Sequence, residues 1–311
     1  MLSTVANRVT RPGQNLRRLS VATVLATYLL VVLGDTVRVT DSGMGCRSWP
    51  LCNGNLGLAG NYHAMLEQSH RYLASVVTAL VVITFLVVRR QARHNRSART
   101  AALAALVLIA VQVALGALTV FAHNAGWTVA MHLATAWLLV AAVTITMVAV
   151  LKGARSSSPA PDRELTRALT LPLGISLVAM FGLGVAGMLV LHDNASLSCP
   201  SWPLCSGVHW SAGVILQYLH RFLALVTAAA LVWLTVRTWR LERATALQKN
   251  LAALTSSLLV ITAGFGAIVA TTGAPEYAQD VHLALASGLW LSLVALASYL
   301  MLPGAVALVD S

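Results

Sequence analysis

The 311-residue chain is 58% hydrophobic and only 10% charged, with a mean hydropathy of +0.76. A soluble globular domain carries about 25% charged residues, so that class is excluded. The net charge of +11 would suit a nucleic-acid binder, but the basic residues fall in the gaps between apolar runs, where they act as topology signals.

Eight apolar runs reach the roughly 20 residues that a helix needs to cross a ~30 Å hydrocarbon core. They lie near 20–39, 69–88, 100–120, 129–151, 170–191, 216–236, 251–271 and 281–301. The alternating segments of about ten residues that build a closed barrel are absent, which leaves an all-α integral membrane protein. Arg8, Arg11, Arg17 and Arg18 precede the first run, which continues into Asp35-Thr-Val-Arg38 without a small-residue cleavage site. It therefore reads as a retained helix rather than a signal peptide. Arg89, Arg90, Arg93, Arg96 and Arg99 join runs two and three. Lys152, Arg155, Arg163 and Arg167 join four and five, and Arg237, Arg240, Arg243 and Lys249 join six and seven. Seventeen of the 21 basic residues thus share one side, leaving Arg38, Arg47, Arg71 and Arg221 on the other. The positive-inside rule then puts both termini in the cytoplasm of a multi-pass cell-membrane protein, and the same residues can touch anionic lipid.

The chain is duplicated. Cys46-Arg-Ser-Trp-Pro-Leu-Cys52 returns as Cys199-Pro-Ser-Trp-Pro-Leu-Cys205, His70-Arg71 as His220-Arg221, and His132-Leu-Ala as His282-Leu-Ala. In each half 62 residues separate the two histidines. The expected architecture is two tandem, pseudo-symmetric four-helix bundles over 1–151 and 170–311. The Ser- and Pro-rich stretch within 152–169 reads as a cytoplasmic linker. The repeat is parallel, unlike the inverted repeats of many transporters.

All four cysteines fall in the long outer loops 40–68 and 192–215, on the side where disulfides persist. Local pairing within each copy is the simplest of three connectivities. Two roles stand for such pairs, a loop staple and a redox-active couple. The spacing is that of neither a thioredoxin-like pair nor a zinc site.

His70 and His220 open the second helix of each half, and His132 and His282 open the fourth, at similar depth about one turn below the outer surface. Ionisable residues inside spans face the bundle interior and mark function. Paired imidazoles on facing helices are a way to hold haem iron in a bundle, and a pair is a poor zinc site. His63, His94, His123, His192 and His209 read as solvated loop or helix-edge residues. Glu67 stands three positions before His70, on the same helix face, whereas the second copy has Gln217 there. Glu67 either complements the helix N-terminus or serves chemistry in the first half alone, moving protons or stabilising a cation. Arg71 and Arg221 either pair with the carboxylates of a haem or snorkel to the interface. Gly34, Gly116, Gly182, Gly184, Gly187, Gly264 and Gly266 either permit close helix packing or clear room for a porphyrin, and the sequence assigns them no specific role.

Taken together, the eight spans, the duplication, Glu67-x-x-His70-Arg71, His132, His220-Arg221, His282, both cysteine loops and the entry segment Gly34–Cys46 resemble the haem A synthase family, in its bacterial form with two cysteine pairs. The resemblance covers nearly the whole chain. It implies that the first half takes haem O near His70 and His132, with Glu67 catalytic and Arg71 beside it. It implies a haem b cofactor in the second half, with His220 and His282 as axial ligands and Arg221 nearby. The reaction would convert a porphyrin methyl to a formyl by successive hydroxylations. Haem O synthase would act upstream and a cytochrome oxidase would receive the product. No motif names an electron acceptor. Two other functions compete: a bis-histidine electron-transfer cytochrome, which leaves the cysteine loops unexplained, and a quinone-linked thiol oxidase, which leaves the histidines unexplained.

Overall fold

The computed structural model describes residues 13–54, 56–57, 60–153, 163–192 and 195–302, without the side chain of His192. Among them are eight long helices, each apolar and long enough to cross a membrane, and no strand. They are α1 (Gln14–Val39), α2 (Tyr62–Gln91), α3 (Arg96–Phe121), α4 (Gly126–Gly153), α5 (Arg163–His192), α6 (Ala212–Arg240), α7 (Ala246–Thr271) and α8 (Glu276–Met301).

Each helix outruns the apolar stretch that announced it, because hydropathy registers only the hydrocarbon slab. The polar ends continue the helix where a cap satisfies its first N–H groups. Asn61, Asn95 and Ser211 accept from the backbone N–H three residues on, and Thr245 forms a capping box with Gln248. Of the stretch expected as a linker, residues 154–162 lie outside the described residues, while Lys152–Gly153 and 163–169 are helical. Inside the spans, many hydroxyls are satisfied locally. Thr27, Thr146, Thr227, Thr238, Thr255 and Thr262 all donate to the carbonyl four residues back, as lipid burial demands.

Helices α1–α4 close a ring by neighbour packing, and α5–α8 close a second. The rings meet through α4 against α8, α1 against α8 and α4 against α5. Accordingly α4 and α8 bury most of their apolar length, while α2, α6 and α7 bury least and turn toward lipid. The largest buried cluster, with Val31, Trp137, Val140, Leu169, Met180, Leu231, Leu289 and Leu293, crosses this seam. At its centre Trp137 and Trp290 stack, with centroids 5.5 Å apart at 14°, and Trp290 Nε1 donates to Trp137 O at 2.7 Å. Gly184 leaves the room that the Trp137 ring occupies. At the basic face Lys152 Nζ donates to Tyr299 O at 3.0 Å and Leu302 O at 2.5 Å, tying one half to the end of the other.

Candidate functional site

The four repeated histidines sit deeper than one turn. His70 and His220 lie eight residues into α2 and α6, and His132 and His282 lie six residues into α4 and α8, or roughly 9–12 Å along the axis. Each imidazole lies against a glycine of the preceding helix. A Cβ at Gly34 would stand 3.0 Å from His70 Cε1, and one at Gly116 3.5 Å from His132 Cε1. At Gly187 and Gly266 the corresponding distances to His220 and His282 are 3.1 and 3.0 Å. These four glycines are therefore ring cradles, whereas Gly182 and Gly264 face open space.

The carbonyl four residues before the glycine completes the cradle. His282 Nδ1 donates to Thr262 O at 2.9 Å, one turn before Gly266. A carbonyl only accepts, so the hydrogen is on Nδ1 and Nε2 keeps its lone pair for a metal. Leu30 and Leu183 carbonyls approach His70 and His220 from the same position, but the Nδ1 atoms of His70, His132 and His220 make no hydrogen bond within geometric limits. Ring centroids of His220 and His282 are 6.4 Å apart with planes at 67°. Two metal–nitrogen bonds of about 2 Å plus two ring radii put axial imidazoles roughly 6 Å apart, so this pair has the span of an iron between them. Among the described residues His70 and His132 make no such ring contact and instead line a cavity of about 280 Å³ with Glu67, Arg71, Asp35, Arg38 and Met188. No group of three or more His, Cys, Asp or Glu able to hold a bare metal occurs among the described residues.

A disulfide loop is tied to each of α2 and α6, Cys46–Cys52 or Cys199–Cys205, with a cis peptide at Trp49-Pro50 or Trp202-Pro203. Arg71 and Arg221 spend their guanidinium groups on these loops. Arg71 Nη1 donates to Ser48 O at 2.6 Å and Pro50 O at 3.1 Å. Arg221 Nη1 donates to the matching Ser201 O at 2.8 Å and Pro203 O at 3.0 Å. Their second nitrogens differ. Arg71 Nη2 reaches Glu67 Oε1 at 2.5 Å, whereas Arg221 Nη2 donates to Cys199 O at 3.2 Å.

Glu67 is buried, and its other oxygen accepts the Cys46 N–H at 2.7 Å. The first loop is thus pinned to the carboxylate itself. Gly45 allows that approach, since a Cβ there would stand 2.5 Å from Ala64 N. Gln217 instead donates to Ala195 O at 3.0 Å and Ser196 O at 3.4 Å.

His63, His94, His123 and His209 are exposed as expected, and His63 Nδ1 also bonds Ser42 Oγ at 2.8 Å, tying α2 to the loop after α1. The carbonyl that satisfies the ring and the glycine beneath it escaped sequence reasoning. The glycines were visible, but their partners depend on helix pairing.

Fold and site define a duplicated eight-helix membrane protein with one cradled imidazole pair in each half. The chain belongs to the family described as cytochrome oxidase assembly protein, whose model matches residues 17–60 and 58–294. Among similar curated proteins, one from Symbiobacterium thermophilum is 27% identical over 300 residues, covering 93% of this chain and 96% of its own. One from Shouchella clausii is 29% identical over 273 residues, covering 83% and 88%. One from Geobacillus thermodenitrificans is 27% identical over 227 residues, covering 72% and 71%. All three are named "Heme A synthase".

Proposed function

We infer that this chain is a haem A synthase, a membrane oxidoreductase that converts a methyl group of haem O to a formyl group. One observation carries the assignment of work between the halves. Glu67 lines a cavity with His70 and His132, while the matching Gln217 in the second half is neutral.

The first half is the substrate side. His70 and His132 present two imidazoles to the cavity, suited to receive the iron of haem O. Glu67 shares the helix face of His70 and is held by the Cys46 N–H and Arg71. Held there, it is placed to accept a proton or to stabilise positive charge developing on the substrate. The first disulfide serves to hold the loop whose backbone orients that carboxylate.

The second half fits a resident haem b. The spacing of His220 and His282, the two glycine cradles and the Nδ1–H bond to Thr262 O all suit axial ligation through Nε2. A haem bound there supplies a one-electron redox centre. The loops lie on the extracytoplasmic face by the distribution of basic residues, and haem O synthase is the upstream supplier.

The test is co-expression with haem O synthase and chromatography of the extracted haems. Haem A is expected from the native chain. With Glu67→Gln, bound haem is expected to remain and haem A to vanish. Native chain that accumulated only haem O would sink the assignment.

A further inference from the structure

Arg38 is a cation that the first cavity has not used. It lines that cavity together with Glu67, His70, Arg71 and His132. Its Nε is buried and has no acceptor, an unmet donor of the kind that folded proteins seldom leave. Its nearest counter-charge, Asp41, stands 3.8 Å from Nη1 and its side chain is 94% exposed, so solvent screens the pair. Arg71 is less free, because three of its five N–H donors go to Ser48 O, Pro50 O and Glu67. The remaining charged lining side chains, Asp35, Asp41 and Glu67, are carboxylates, which repel an anion.

Position adds direction. Arg38 lies four residues beyond Gly34, the cradle of His70, and therefore one turn toward the loop side on the same face of α1. The duplication supplies the control. Gly34 corresponds to Gly187, so Arg38 corresponds to Leu191, an apolar residue.

We propose that Arg38 is the carboxylate anchor of the substrate site, receiving a propionate group of the porphyrin through Nε and Nη. A guanidinium fork suits a carboxylate. The anchor fixes the porphyrin's rotation in its own plane. Its carboxylate edge points to the loop and its apolar edge points inward along the bundle, which decides the methyl group that meets Glu67. This rests on the haem O reading above, with Arg38 a substrate-binding residue that the second half does without.

The experiment uses full-length protein with its second site already filled, titrated with iron protoporphyrin IX and with its dimethyl ester. Native protein is expected to bind the free acid about tenfold to a hundredfold more tightly than the ester, the worth of one charge-assisted pair. Arg38→Leu is expected to weaken the free acid by that factor and to leave the ester unchanged, so that the two bind alike. Arg38→Lys is expected to recover part of the preference. Retained absorbance of the second-site haem reports an intact fold. Unchanged preference for the free acid in Arg38→Leu would overturn the anchor. Failure of the native chain to make haem A would overturn the haem O reading instead, and the two failures are read in separate assays.

Discussion

The two halves share most of their devices, and one clear difference is where an arginine nitrogen goes. In both, an arginine clamps the Ser and Pro carbonyls of a disulfide loop. In both, histidines rest on glycines of the preceding helices. In the first half the clamp also holds Glu67, and Glu67 holds the loop through the Cys46 N–H. In the second the same nitrogen returns to Cys199 O, so the loop is closed on itself. Duplication therefore delivers two similar pairs of glycine-cradled histidines. On the function proposed above, replacing one carboxylate by an amide would separate a reacting site from a holding site, without changing the scaffold.

The largest effect should come from the second half. On the haem b reading, His220→Ala or His282→Ala would remove an axial ligand and is expected to abolish the b-type absorbance of the purified protein, while His70→Ala and His132→Ala leave that absorbance in place. If all four variants lost it equally, the division between the halves would be wrong. Next, Glu67→Gln is expected to stop haem A formation with bound haem retained. The reciprocal Gln217→Glu tests the comparison from the other side. It loses the donors to Ala195 O and Ser196 O and should destabilise the second loop by about 1–3 kcal/mol without adding activity, measured by thermal unfolding.

The cysteines separate the halves more finely. Removing either disulfide should cost about 2 kcal/mol of loop stability by chain entropy. Only Cys46→Ser with Cys52→Ser should also lower haem A yield, because only that loop donates to the carboxylate. Equal losses of haem A from both double variants would make the loops generic staples. The smallest effects grade with the cradles. Gly266→Ala and Gly187→Ala push a Cβ to 3.0 and 3.1 Å from the rings and are expected to shift the haem reduction potential, with about 1–3 kcal/mol of overpacking. Gly116→Ala, at 3.5 Å, is ordinary contact and is expected to be nearly neutral.

Much of this was legible along the chain. Helix number followed from apolar run length, and the ligand candidates followed from a repeat that kept the 62-residue spacing. Glu67 stood out because its partner copy is Gln217. Other features were not legible. Gly34 and His70 are 36 residues apart, on helices whose rotation about their axes no local pattern specifies. Arg71 and Arg221 looked like candidates for a haem carboxylate or the membrane surface, yet their donors go to their own loops. Arg38 looked like one more outer arginine, and only the structure shows that it lines the cavity and that its buried Nε has no acceptor. His63 is exposed as it looked, but its bond to Ser42 depends on loop closure that no local pattern specifies.

By itself the amino-acid order determined what must be in lipid, which side is basic, that the chain is two copies, and which titratable residues were copied. Those are properties of transfer free energy and spacing, and they need no partner. Tertiary structure alone decided which glycine lies under which imidazole, which arginines are spent, and that the seam runs through α4 and α8. Each of these depends on the mutual rotation of helices tens of residues apart, and packing sets that rotation.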